Sequence, residues 1–277
     1  MTQKIWFITG TTTGLGREWA IAALDRGDGV AATARNVDRI ADLVDTYGDR
    51  VHPIALDVTD RLAVFEAVAG AHQHFGRLDV VVNNAGYGQY GMVEELSEHE
   101  VRDQLETNLF GALWVVQAAL PFLREQGSGH ILQNSSVGGL MAAPALGIYH
   151  ASKWALEGIS QSLAQEVRAF GIKVTIIEPT GYRTAAEGSA RHATPNAVYD
   201  RQRERHADMR AAITRREGDP HATRAAILAV VDAEEPPLRL ILGDGPLQML
   251  TAEYESRLAT WRAWEALSIA AHGPALA

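Results

Sequence analysis

The chain has 277 residues, 47% hydrophobic and 21% charged, which excludes an intrinsically disordered segment, a collagen-like repeat and a coiled-coil rod. Its formal charge of −9, from 25 Lys+Arg against 34 Asp+Glu, gives no basic footprint for nucleic acid, so no nucleic-acid partner is expected. The absence of cysteine removes disulfides, thiolate nucleophiles and Cys-ligated zinc or iron–sulfur centres, and fits a reducing compartment. The opening MTQKIWFITG lacks the pattern of a signal peptide. No apolar run reaches the roughly 18 residues of a membrane span, so a cytoplasmic location without a membrane partner is expected.

Apolar and β-branched runs recur at Ile5–Thr9, Val30–Thr33, Val51–Leu56, Leu78–Val82, His130–Asn134, Lys173–Ile177 and Leu238–Leu242, which predicts seven strands. Between them, Leu15–Arg26, Val37–Tyr47, Arg61–Phe75, Glu98–Leu123 and Tyr149–Phe170 have helical spacing and enough length to cross back over a sheet. The alternation predicts an α/β fold, a Rossmann-like doubly wound parallel sheet of seven strands with helices on both faces. Ligands of such a sheet bind beyond the carboxyl ends of its strands, where the strand order reverses.

Two regions depart from the alternation within what reads as a single domain over residues 1–277. After the sixth strand, a helical insertion at about 180–218 carries Arg201, Arg203, Arg205, Arg210, Arg215 and Arg216. It reads either as a solvated helical segment with paired charges or as a lid over the substrate. From Pro246 a helical extension, about 246–277, places Leu247, Leu250, Tyr254, Leu258, Trp261 and Trp264 on one face. Packing against the body is the default reading, and a subunit contact the alternative.

The first strand runs into Gly10-Thr11-Thr12-Thr13-Gly14-Leu15-Gly16 and then a helix. Glycine lets the backbone approach an anion, and the helix N-terminus offers free N–H groups and a positive dipole end, as a pyrophosphate needs. The spacing G-x3-G-x-G is not the dinucleotide fingerprint G-x-G-x-x-G, and glycines also make ordinary turns. Together with Thr9, however, the loop resembles that of the short-chain dehydrogenase/reductase family. Further motifs carry the same resemblance. Asn83-Asn84-Ala85-Gly86 is similar to the family's structural motif. Tyr149-His150-Ala151-Ser152-Lys153 matches its Tyr-x3-Lys motif. Ser136 lies thirteen residues before Tyr149, and Asn108 matches the fourth catalytic position.

The resemblance implies a nicotinamide cofactor held by Gly10, Thr12, Thr13, Gly14, Leu15 and Gly16, with Asp57 and Val58 at the adenine and Asn84, Ala85 and Gly86 along the adenosine side. Asp57 also reads as a cap for the helix beginning near Asp60. Pro179 and Thr184 match the ends of the family's Pro-Gly-x3-Thr segment beside the carboxamide, although Thr180 stands in place of Gly and Gly181 follows one position late. An acid that would bind the ribose hydroxyls of NAD is replaced by Ala34, and Arg35 next to it suits a 2′-phosphate, so NADP(H) is expected.

Tyr149 and Lys153 are four apart on a predicted helix and therefore share a face. An ammonium beside a phenol favours the phenolate and so draws its pKa down from about 10. The family's mechanism implies that Ser136 and Tyr149 hold a carbonyl oxygen, that Tyr149 is the general acid/base, that Lys153 tunes it and holds the ribose, and that Asn108 anchors a relay water; Tyr149 and Lys153 thus serve both catalysis and cofactor binding. The resemblance thereby implies an NADPH-dependent carbonyl reductase or alcohol dehydrogenase, and a hydrophobic ketone or secondary alcohol is the expected substrate. Tyr87, Met92, Met141, Pro144, Leu146, Trp154 and Tyr182 are candidates for its pocket, with core packing an equal reading of Trp154. The alternative is a non-catalytic NADP(H) sensor on the same fold, which retention of Ser136, Tyr149, Lys153 and Asn108 disfavours. The family also implies a homodimer or homotetramer. No metal is assigned: His72 and His74, two apart on a helix, face different ways, and His150 reads as a neighbour of Tyr149.

Overall fold

The structure, a computed structural model, describes residues 3–183, 190–205 and 217–273. Its strands are β1 (Ile5–Ile8), β2 (Gly29–Ala34), β3 (Val51–Ala55), β4 (Val80–Asn83), β5 (Gln89–Tyr90), β6 (Gly129–Asn134), β7 (Ile172–Pro179), β8 (Arg191–His192) and β9 (Arg239–Leu242). The helices are α1 (Gly14–Arg26), α2 (Ala41–Tyr47), α3 (Arg61–Phe75), α4 (Glu98–Leu105), α5 (Gly111–Gln126), α6 (Gly147–Val167), α7 (Thr223–Asp232), α8 (Pro246–Ala263) and α9 (Glu265–His272).

Seven strands form one parallel sheet in the order β3-β2-β1-β4-β6-β7-β9. The order reverses between β1 and β4, which opens a crevice at their carboxyl ends. The strands alternate their side chains between two cores. Phe7, Ala31, Val81 and Ile131 pack with Val64 and Val68 of α3 and Val115 and Ala119 of α5. On the opposite face Trp6, Ile8, Val80 and Val82 pack with Trp19 and Leu24 of α1 and Ile227 and Val230 of α7. Coverage of both faces explains why these strands read as continuous apolar runs. The buried indoles keep their N–H groups satisfied: Trp6 donates to Asp28 at 2.8 Å and Trp19 to the Thr223 hydroxyl at 2.9 Å.

The expected helix over Glu98–Leu123 is two helices joined by a wider π-helical turn over Glu106–Phe110, which contains Asn108. A wide turn re-aims side chains relative to an unbroken helix. β7 continues past Ile177 to Glu178 and Pro179, because β9 pairs with it through Leu242.

The described part of the insertion is not purely helical. β8 pairs in parallel with β5 beside the crevice. Arg191 donates to Asp103 at 2.8 Å and lies over the Tyr87 ring, and Arg203 pairs with both Glu95 and Asp200. Arg210, Arg215 and Arg216 lie outside the described residues.

The tail departs from its default reading. α8 and α9 are helical, but of the six residues on the expected face only Leu250 is buried, while Leu247, Trp261 and Trp264 are more than 60% exposed. Helical spacing fixes which residues share a face and says nothing about whether the body reaches that face. Among the described residues, no helix is long and apolar enough to cross a membrane.

Candidate active site

The glycine loop leaves β1 with Gly10 at φ 71° and Gly14 at φ 64°, both in the left-handed region. Thr11 donates from its N–H and its hydroxyl to the Thr33 carbonyl, at 3.0 and 3.1 Å, tying the loop to the end of β2. Gly16 has no room for a side chain: a Cβ there would lie 2.1 Å from the Asn84 amide nitrogen and 2.6 Å from the Gly10 carbonyl oxygen. Thr13 occupies the position before α1 in extended conformation without capping the helix through its side chain. The first N–H groups of α1 therefore point into the loop, and Leu15 is buried behind them. These features fit the pyrophosphate of a dinucleotide.

The Asn84 side chain is bonded within the protein on both sides. Its side-chain amide donates to the carbonyls of Thr9 and Gly10 at 2.9 and 3.0 Å, and its oxygen accepts from Asn134 at 2.9 Å. The backbone N–H groups of Asn84 and Ala85 both donate to the Thr9 hydroxyl. Asn84 thus clamps β1, β4 and β6 together beneath the loop. Thr9 and Asn134 complete the clamp, and nothing local in the sequence marks Asn134.

Ala34 is buried at the end of β2, and Arg35 beyond it is exposed with no carboxylate paired to it among the described residues. Asp57 accepts from the Thr59 N–H and hydroxyl, while Asp60 caps α3 through the Ala63 N–H. The capping alternative for Asp57 therefore fails. Val58 is buried, and a Cβ on Gly111 would meet its Cγ2 at 2.7 Å. The Val58 side chain is thus packed against Gly111.

At the end of β7, Pro179 accepts from the Ser136 hydroxyl at 3.5 Å. The departure at Thr180 has a local cause. Its N–H and hydroxyl donate to Leu242, and its Oγ1 lies 2.0 Å from where a Cβ on Gly243 would be. The missing side chain at Gly243, with φ 128°, makes room for the threonine. Thr184 lies outside the described residues.

Tyr149, Ser136, Lys153 and Asn108 come together from α6, the loop after β6 and the π turn. Ser136 hydrogen-bonds the Tyr149 hydroxyl. Burial pushes the phenol above its ordinary pKa, the Ser136 bond pulls it back in part, and nearby Tyr90 adds to the rise. At neutral pH Tyr149 is a neutral donor. Lys153 Nζ is 5.9 Å from the Tyr149 ring centroid and donates to the Asn134 carbonyl at 2.7 Å. Burial pushes its ammonium down to about 8, opposed by the Glu157 carboxylate. Asn108 uses its amide as a brace: it donates to Tyr87 O at 2.9 Å and to the Ser152 hydroxyl at 3.2 Å, and accepts from the Tyr87 N–H at 3.1 Å.

His150 is more than a helix neighbour. The Ala143 N–H donates to its Nε2 at 2.9 Å, so Nδ1 carries the proton and donates to Gly138 O at 2.8 Å. The imidazole spans the loop between Ser136 and α6, whose Ala145 has a left-handed φ of 64°. Burial holds His150 below its ordinary pKa. Of the pocket candidates, Met92 is buried and Trp154 is 42% exposed beneath Arg257. Tyr90 and His192, which belong to none of the motifs, stack at 5.0 Å where β5 meets β8. His72 stacks on Phe122 and His74 on His52.

A glycine loop with an open helix end, set at the reversal point of a parallel sheet, defines a dinucleotide-binding α/β protein. Residues 4–195 match the family model described as short chain dehydrogenase. The chain is 43% identical over 270 residues to Oxidoreductase BOA17 of Botryotinia fuckeliana (strain B05.10), covering 96% of this chain and 98% of that one. It is similar to the crystal structure of a short-chain dehydrogenase from Streptomyces avermitilis, with TM-score 0.90, 39% identity and 98% of each chain covered. It is also similar to an alcohol dehydrogenase from the archaeon Thermococcus sibiricus complexed with 5-hydroxy-NADP, with TM-score 0.74 and 27% identity over 87% of this chain and 97% of that one. The chain belongs to the short-chain dehydrogenase family of nicotinamide-dependent oxidoreductases.

Proposed function

We propose that the protein is an NADPH-dependent carbonyl reductase, or the corresponding alcohol dehydrogenase, acting on a hydrophobic ketone or secondary alcohol. The observation that carries this reading is a half-buried, neutral Tyr149 phenol hydrogen-bonded to Ser136, with the Lys153 ammonium one helical turn further on. The preference for NADPH rests on buried Ala34 and exposed Arg35, which has no carboxylate paired to it among the described residues, and it is in keeping with the NADP-type ligand of the archaeal relative.

The nicotinamide, when bound, supplies the hydride that reduces the carbonyl carbon. Ser136 and Tyr149 orient the carbonyl oxygen and stabilise the charge that develops on it. Tyr149 then delivers its proton to that oxygen, a direction that burial favours by keeping the phenol protonated. Lys153, fixed by Asn134, presents its positive charge to the tyrosine and stabilises the phenolate left behind. Asn108 holds the Tyr87 backbone and the Ser152 hydroxyl in place around this centre.

The test is oxidation of NADPH and of NADH with a panel of ketones, aldehydes and quinones, with Tyr149→Phe alongside. Turnover of at least one carbonyl by the wild type, abolished in Tyr149→Phe while NADPH still binds, is the expected outcome. Retained turnover in the variant would sink the assignment of Tyr149.

A further inference from the structure

Behind Lys153 lies a cluster that none of the proposed steps uses. Glu157, one turn along α6, is 5% exposed, and Glu178, near the end of β7, is 0% exposed. Arg239 of β9 joins them: its Nη2 is 3.3 Å from Glu157 Oε2 and its Nε is 3.3 Å from Glu178 Oε1. Nε and Nη2 form one edge of the rigid guanidinium fork, so the two carboxyl groups face each other across that edge. Nη2 also donates to Gln161 at 3.0 Å. None of the four carboxyl oxygens accepts a hydrogen bond of good geometry among the described residues. Ser135 approaches Glu157 across Gly139, where a Cβ would lie 2.7 Å from the serine hydroxyl oxygen and 3.1 Å from Glu157 Oε1. The charged and titratable groups of the cluster are thus Lys153, Glu157, Glu178 and Arg239, with Tyr149 beyond the lysine.

Resting on the reading of Tyr149 and Lys153 given above, we propose that Glu157 and Glu178, bridged by Arg239, share one proton and through it set the charge that Lys153 presents to Tyr149. Two buried carboxylates on one guanidinium edge repel each other, and Arg239 neutralises only one. Lys153 is the second cation within reach, on the same helix face as Glu157. Loss of the shared proton therefore stabilises the Lys153 ammonium, and neutralisation of Lys153 draws the proton back. Lys153 and the carboxyl pair titrate as one unit. In agreement, burial and the neighbouring Glu157 push Glu178 up to about 8, the value to which burial lowers Lys153. Glu157 and Glu178 are positioning residues: they touch neither substrate nor cofactor.

The chain has only three lysines, Lys4, Lys153 and Lys173, so the titration of Lys153 is directly readable by NMR of the full chain labelled with 13Cε-lysine. Wild type is expected to show a broadened, two-step Lys153 curve. Glu157→Gln should lower its midpoint by about one pH unit, the size of effect of losing a neighbouring opposite charge. Glu178→Gln should collapse the curve to a single step. Lys4, paired with Asp232 away from the cluster, reports that each variant is folded. Lys153 curves that superimpose on wild type in both folded variants overturn the proposal. The pH profile of kcat/KM for NADPH-dependent reduction should move with the NMR midpoint in Glu157→Gln, and a profile that stays put while the midpoint moves overturns it too. If no carbonyl is turned over, the reductase reading fails while the NMR titration still decides the coupling.

Discussion

In the NADPH reading, cofactor choice rests on two neighbouring residues at the end of β2. A carboxylate at Ala34 would meet the ribose hydroxyls of NAD and repel a 2′-phosphate, and the exposed Arg35 would lose its purpose. Ala34→Asp combined with Arg35→Ala should lower the NADPH-to-NADH ratio of kcat/KM by about 10- to 100-fold, the worth of one or two hydrogen bonds to a charged group. An unchanged ratio of initial rates would refute the assignment. Lys153 makes a second statement at this scale. Its ammonium, lowered to about 8, is charged below that pH and lost above it. Carbonyl reduction should therefore fall as pH rises through 8, well below the pH at which the raised Tyr149 phenol would ionise. A plateau extending to about pH 10, the ordinary range of a phenol, would show that the charge on Lys153 is not needed.

At the scale of elements, the loop from Ser136 to α6 depends on a helix residue outside the Tyr-x3-Lys pair. The two hydrogen bonds of His150 join Gly138 and Ala143 across the loop. Since Nε2 must stay unprotonated to accept from Ala143, acid should loosen the loop below the lowered pKa of the imidazole. His150→Ala should raise KM several-fold, about 1 kcal/mol for a lost neutral hydrogen bond, with a smaller loss of kcat. It should also remove the rise of KM in acid that is expected of the wild type. Equal pH profiles of KM in the two proteins would reject this role.

The same element shows what sequence reasoning reaches. The central sheet strands are legible because two buried faces leave little but apolar residues in them, and the Tyr149–Lys153 pair because helical spacing is fixed. The roles of His150, Glu157 and Glu178 are not legible, since each is defined by partners distant in sequence: Gly138 and Ala143 for the histidine, Arg239 for the glutamates. A charged residue in an otherwise apolar strand, as in Ile176-Ile177-Glu178, is the one local sign. β8 escapes detection because two residues paired to β5 leave no periodicity to read.

For the whole molecule, the tail separates helix formation from core formation. Leu250 seats α8 on the body, whereas Trp261 and Trp264 are exposed. Leu250→Ala should cost about 2–5 kcal/mol, as for any well-buried leucine. Trp261→Ala and Trp264→Ala should stay within about 0.5 kcal/mol in the dilute chain. Urea unfolding at several protein concentrations checks both. A midpoint that falls on dilution in wild type but not in the tryptophan variants would mean that another copy covers this face.

α6 meets a different part of the chain at nearly every step. His150 reaches the loop over 138–143, Ser152 the π turn at Asn108, Lys153 the end of β6, Trp154 the tail through Arg257, and Glu157 the far strand β9. Such a helix behaves like a key whose teeth are all cut to one phase. Inserting one residue between Tyr149 and Glu157 would rotate everything beyond it by about 100° and misplace several of these contacts at once. Loops elsewhere tolerate changes of length, but here the chain has no slack, and a lengthened α6 would lose its chemistry and its place in the fold together.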